Sequence, residues 1–152
     1  TTSALLGSRE MGKVNMNRRH QREISQQYAD KFRTKIVSLD DLIGSLSGGN
    51  QQKVVISRAL STRPKVVILD EPTRGIDAAA RSDVYGIIRQ LKEEGVAVLM
   101  VSSDIEEVVE LADRAITIFQ GRINGEFSHD EIPRDALTSA SFGIGHERVV
   151  AK

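Results

Sequence analysis

The chain alternates between short continuous apolar runs and longer stretches in which apolar side chains return every three or four residues. Val66-Val67-Ile68-Leu69 and Val96–Val101 are such runs, and Ala115–Phe119 is a third, interrupted by Thr117. Being short and apolar at successive positions, they read as strands; the first two are expected to be covered on both faces, as in parallel sheets. Between the first two, Val84, Ile87, Ile88 and Leu91 make one stripe of a helix capped by Asp77, running to about Glu94 and ended by Gly95. An earlier helix starts at Ser47 as N-cap and runs to about Thr62, where Pro64 blocks its continuation. A later one follows Asp104 through Val108, Val109 and Leu111. Ile24, Tyr28 and Phe32, four apart, support a helix over Arg22–Phe32, whereas Lys35-Ile36-Val37 is too short to assign. Gln120-Gly121 turns the chain into an antiparallel strand, Arg122–Phe127, and a last helix over Arg134–Ala140 leads into a loose tail from Gly143. Strand–helix–strand–helix–strand with short connections predicts an α/β fold: an open, mostly parallel sheet with flanking helices and right-handed crossovers.

Composition narrows the classes. With 152 residues, 39% hydrophobic and 28% charged, the chain is long enough for one domain with its own core. Equal numbers of basic and acidic residues, 21 each, give no global attraction to nucleic acid or an acidic membrane. There is no cysteine, hence no disulfide and no thiolate metal site. No apolar run approaches the roughly 18–20 residues that span a bilayer. Thr1-Thr2-Ser3 has neither charged nor apolar signal-peptide regions, and the absence of an initiating Met leads us to expect a piece of a longer protein. Residues 1–45 carry eight Lys/Arg against five acids, which sets them apart from the rest.

Candidate chemistry sits at two places. Asp70-Glu71 ends the first apolar run, and open parallel sheets bind ligands beyond the carboxyl ends of their strands. Alternation along the strand sends the two carboxylates in different directions, so that one suits a hydrated magnesium ion and the other an attacking water. Ser47-Gly48-Gly49 opens a helix: the glycines permit close backbone approach, and the first-turn amides and the hydroxyl face outward as an anion site for a terminal phosphate. An ordinary N-cap explains Ser-Gly-Gly taken alone equally well. Asp77 is a helix cap or a contact beside phosphates. Ser102-Ser103-Asp104 follows the second strand, where a hydroxyl can meet phosphate or water, although a cap with loop serines fits the same spacing. Gly7–Lys13 fits G-x-x-x-x-G-K, but Val14 replaces the magnesium-ligating Ser/Thr and no strand precedes it, so we read the match as accidental. His20, His129 and His146 are scattered without metal-ligand spacing, and the basic run Lys13–Arg22 lacks interleaved aromatics and reads as a solvated loop.

These residues resemble the ATP-binding cassette family of transport ATPases. Leu46–Asn50 is similar to its Leu-Ser-Gly-Gly-Gln signature with Asn50 for Gln, Val66–Glu71 to its Walker B strand and catalytic glutamate, and Gly75-Ile76-Asp77 to its D-loop. The resemblance runs from about Leu46 through Phe127. Leu-Ser-Gly-Gly-Asn-Gln-Gln-Lys with Asp-Glu-Pro-Thr-Arg-Gly-Ile-Asp resembles the second cassette of tandem ATPases that energise bacterial monosaccharide and autoinducer import, in which a serine, here Ser103, stands where the usual switch histidine would. The resemblance implies a P-loop-NTPase-like core over 46–128, part of a helical subdomain over 1–45, and a C-terminal helix and tail over 129–152. It implies ATP and Mg2+ as cofactors, with Asp70 in the magnesium shell. Glu71 and Ser103 fall in the catalytic site, and Ser47, Gly48, Gly49, Asn50 and Asp77 contact nucleotide. The implied partners are a second cassette and transmembrane permease subunits, at the cytoplasmic face of the inner membrane, with no nucleic acid. The Walker A and Q-loops are expected upstream, so this stretch alone is expected to be inactive. Two rivals remain: a chromosome-maintenance or DNA-repair ATPase of the same superfamily, which would need flanking coiled coils, and a non-catalytic interaction module of the same fold.

Overall fold

The computed structural model describes residues 18–128 and 132–144. The Gly7–Lys13 motif, His129 and His146 lie outside the described residues. The chain forms two compact units, one through Val101 and one from Ser102.

The first unit begins with α1 (Arg18–Lys31), a 3₁₀ turn (Ile43–Ser45) and α2 (Gly48–Leu60); β1 (Val66–Asp70), α3 (Ala78–Glu93) and β2 (Ala97–Val101) complete it. Helix α1 starts four residues before the periodicity indicated, in a basic first turn where Arg18, Arg19 and Arg22 are exposed; Arg22 pairs with Asp40 at 2.9 Å and Arg19 with Glu23 at 3.1 Å. The basic run is therefore helical from Arg18, a correction to the loop expectation. Its apolar stripe holds: Ile24 and Phe32 are buried, and Tyr28 donates its hydroxyl to Leu60 O at 2.7 Å, tying α1 to the end of α2. In α3, Val84, Ile87, Ile88 and Leu91 are all buried, as their 3.6-residue spacing requires. Full burial of such a side chain contributes about 1.5–3 kcal/mol. Asp77 caps the helix by accepting from Ala80 N at 2.9 Å, and Gly95, at φ +76°, takes the left-handed conformation that ends it.

Strands β1 and β2 pair in parallel, Val66 opposite Ala97 through Asp70 opposite Val101. Their coverage corrects an expectation. Val67 and Leu69 are buried, but Val66, Ile68, Leu99 and Val101 are more than half exposed. The four share one face, since side chains alternate along a strand and parallel partners point the same way. Apolar side chains stand on both faces, as the sequence says, yet the described residues cover only one.

The second unit comprises α4 (Ile105–Leu111), β3 (Arg114–Phe119), β4 (Arg122–Ser128) and α5 (Arg134–Ser141). Among the described residues the third strand pairs antiparallel with β4. The cause is local. Gln120 and Gly121 both have positive φ, 47° and 75°, the two-residue turn whose twist matches a hairpin. Gly125 is needed in β4, because a Cβ there would lie 2.9 Å from both Thr117 Oγ1 and the Phe127 ring. Helix α5 packs on this hairpin through Leu137 and Ala140, and Asn124 Nδ2 donates to Ala140 O at 2.8 Å.

Candidate functional site

Ser47 precedes α2 with extended backbone, φ −61° and ψ 154°, and so does begin the helix. Its hydroxyl, however, does not cap a first-turn amide. It accepts instead from Asn50 Nδ2 at 2.9 Å, and Asn50 Oδ1 accepts from Lys35 N at 2.9 Å. Gln51 Nε2 donates to Leu46 O at 2.7 Å, fixing the residue before the turn. Ser47 and Gly48 are exposed while Gly49 is buried.

The two glycines have separate reasons. A Cβ on Gly48 would lie 3.5 Å from Ile76 Cγ2 and 3.8 Å from Gly75 O, so the turn rests directly on the Gly75–Asp77 loop. A Cβ on Gly49 would lie 2.3 Å from Ala80 Cβ, closer than two carbons can approach. Gly49 is thus demanded by the crossing of α2 with the first turn of α3, a reason the sequence reading did not contain. Among the residues that reading selected, the Ser47–Gly49 turn and the Gly75–Asp77 loop are brought together.

Lys53 strengthens that crossing one helical turn later and was not selected from sequence. Its side chain is 5% exposed; Nζ lies 2.6 Å from Asp83 Oδ2 on α3 and 3.4 Å from Arg33 O. A signal was available: Gly49, Lys53, Ile56 and Leu60 form the buried stripe of α2, and a lysine within such a stripe requires a partner. Asp83→Ala should destabilise the protein by about 2 kcal/mol, reduced from the full cost of breaking a buried pair because the Asp83 side chain is 58% exposed. Lys53→Met, which removes the buried charge itself, should cost less. Urea unfolding midpoints of the two variants check the order, and equal or reversed costs would refute it.

Asp70 and Glu71 stand at the end of β1. Asp70 is exposed and sits opposite Val101 in register. Glu71 is half-buried; its N–H continues the ladder to Val101 O at 2.8 Å, and its carbonyl accepts from Arg74 N at 3.2 Å to close a turn over buried Pro72 and Thr73. Its φ is +47°, left-handed for a non-glycine residue that also precedes a proline, which ordinarily favours extended backbone. Such conformations cost on the order of 1–3 kcal/mol and cluster at functional sites. Here the strain turns the chain so that consecutive carboxylates leave the strand in different environments. Among the described residues no group of three or more His, Cys, Asp or Glu is arranged for a metal. One exposed carboxylate nevertheless fits magnesium, which keeps most of its waters and takes one or two carboxylates plus substrate phosphates.

Ser103 belongs to the second unit. It is exposed between Ser102, whose hydroxyl accepts from Asp104 N at 3.0 Å, and Asp104, whose Oδ1 accepts from Glu106 N at 3.0 Å to cap α4. Within that helix Glu107 is 1% exposed, and among the described residues neither carboxyl oxygen has a hydrogen-bond partner. It too was missed, although its spacing to Leu111, four residues on, places it on the apolar stripe.

The sequence model of the family described as ABC transporter matches residues 4–74. The chain is 46% identical over 116 residues to the xylose import ATP-binding protein XylG of Moorella thermoacetica; the match covers 76% of this chain and 23% of that protein. The chain therefore spans about a quarter of the length of that relative. Among solved structures it is similar to an ABC transporter's ATP-binding cassette in its ADP conformation, at TM-score 0.67 and 28% identity, covering 76% of this chain and 45% of that one. A dimeric, post-hydrolysis cassette bound to ADP and Pi matches at TM-score 0.68 and 24% identity, over 78% of this chain and 51% of that one, and supports the fold alone. The fold expected from the sequence, that of an ABC ATPase with mixed α and β structure, is the one these similarities show.

Proposed function

We propose that this chain, similar to ABC transporter ATP-binding cassettes, works within the ATP-hydrolysing subunit that powers sugar import through a membrane permease. The observation that carries the reading is the exposed Ser47-Gly48 turn seated on the Gly75–Asp77 loop, a pair of half-sites presented outward. Such surfaces suit nucleotide held by a neighbouring cassette. The likeness to a xylose import ATP-binding protein supports the substrate class.

In this reading Ser47, Gly48 and Gly49 donate hydrogen bonds to the terminal phosphate of nucleotide bound by a second cassette, where preorganised donors act most strongly on developing charge. Asn50 and Asp77 belong to the same surface. Glu71 orients the attacking water and receives its proton. Asp70 holds magnesium through its water shell; the ion, when bound, offsets phosphate charge. Ser103 stands at the switch position, where its hydroxyl can hydrogen-bond but cannot take a positive charge as histidine does. Residues 1–45 belong to a helical subdomain, residues 46–128 to the core and 129–152 to the terminal helix and tail. The assembly sits at the cytoplasmic face of the membrane against the permease; no described helix is long and apolar enough to cross a membrane.

The test is reconstitution of the full-length protein that contains this chain, with its permease, in vesicles. ATP and magnesium should drive uptake of a monosaccharide such as xylose and promote association of cassettes. Absence of ATP hydrolysis under these conditions would overturn the ATPase reading, and hydrolysis without uptake of any sugar would overturn the import reading.

A further inference from the structure

We infer that Asn50 acts as a positioning residue, setting the Ser47 hydroxyl as a hydrogen-bond donor toward phosphate, rather than as a nucleotide contact itself. The inference rests on the functional reading above and deepens it at one atom.

The hydrogen-bond chemistry leaves one arrangement. Lys35 N–H is a donor only, so the atom of the Asn50 amide facing it at 2.9 Å has to be the carbonyl oxygen. That fixes the amide's orientation and turns Nδ2 toward Ser47 Oγ, 2.9 Å away. Nδ2 is a donor only, so the serine oxygen accepts there and its own proton must point elsewhere. Among the described residues that proton has no acceptor: the Ser47 hydroxyl's one hydrogen bond is with Asn50, and it does not cap the helix amides. An exposed hydroxyl with its lone pair engaged from behind is a preset donor toward an anion. The backbone of Lys35, in the segment between α1 and the 3₁₀ turn, thereby governs the polarity of the phosphate-facing turn through a single side chain.

Asn50→Asp tests this with nearly the same shape. Aspartate still accepts from Lys35 N–H, but its second oxygen is an acceptor and captures the Ser47 proton, reversing the hydroxyl. In the full-length protein, ATP-dependent association of cassettes, read by nucleotide titration, should weaken at least tenfold, with the thermal unfolding midpoint little changed. Asn50→Ala, which frees the hydroxyl without reversing it, should weaken association by less than Asn50→Asp. Because the new charge also repels phosphate directly, the deciding comparison is made in a Ser47→Ala background, where Asn50→Asp should cost less than threefold. An equal cost with and without the serine hydroxyl would show that charge alone acts and would overturn the inference, as would wild-type association by Asn50→Asp. If the unsubstituted protein fails to respond to ATP, the functional reading falls and this inference falls with it; a normal response of unsubstituted protein with additive variants removes the inference alone.

Discussion

In the full-length protein that contains this chain, replacing Glu71 with glutamine is expected to slow the proposed ATP hydrolysis on the order of a hundredfold or more while leaving nucleotide affinity nearly unchanged. A positioned general base contributes about 10²–10⁴ to rate, and glutamine matches glutamate in shape but cannot take the proton of the attacking water. The backbone argues that the fold survives. Glu71 sits at φ +47°, held by its N–H to Val101 O and by the turn to Arg74, and these bonds use main-chain atoms that glutamine retains. The unhydrolysed complex should accumulate, so that ATP alone drives persistent association of cassettes. Single-turnover hydrolysis and size-exclusion chromatography check both arms. Normal turnover in Glu71→Gln would remove the base assignment.

The second large effect is structural. Gly49→Ala should destabilise the protein by about 2–3 kcal/mol, against the usual preference for alanine in helices. In an unobstructed helix the change gains about 0.5–1 kcal/mol. Here the new methyl group would lie 2.3 Å from Ala80 Cβ, so α2 and α3 have to separate by more than an ångström. Overpacking of this kind costs about 1–3 kcal/mol and occasionally more. The separation also lifts the Ser47–Gly48 turn from Gly75 and Ile76, so ATP-dependent association should be lost along with stability. Ala80→Gly in the same protein returns the missing space, and the double variant should recover most of the unfolding midpoint. A Gly49→Ala protein as stable as its parent would show that the crossing is loose.

Much of the secondary structure was legible from sequence. The stripe Val84, Ile87, Ile88, Leu91 is buried throughout, and Asp77, Asp104 and Gly95 begin or end helices where their chemistry indicates. Such features depend on residues within a turn of one another, so the chain states them locally. The hairpin turn at Gln120-Gly121 is of the same kind. Pairing was less legible. The run Ala115–Phe119 suits a buried parallel strand as well as a hairpin arm, because periodicity carries no information about the neighbouring strand. Coverage of β1 and β2 was misjudged for a related reason: Val66, Ile68, Leu99 and Val101 are apolar, but what lies over them is not written in their own sequence.

At the candidate site the sequence determined the identities and spacing of the groups: a serine and two glycines before a helix, two carboxylates after an apolar strand, an aspartate cap beyond them. Tertiary structure alone decided that Gly49 is there for Ala80, that Lys53 is buried against Asp83, that Glu71 is held left-handed, and that Lys35 N–H fixes the Asn50 amide that meets the Ser47 hydroxyl. Each of these depends on an atom brought from another element, or on a backbone angle that many residues could adopt. Local composition can propose chemistry, whereas the distance between two helices and the direction of a proton exist only once the chain has closed on itself.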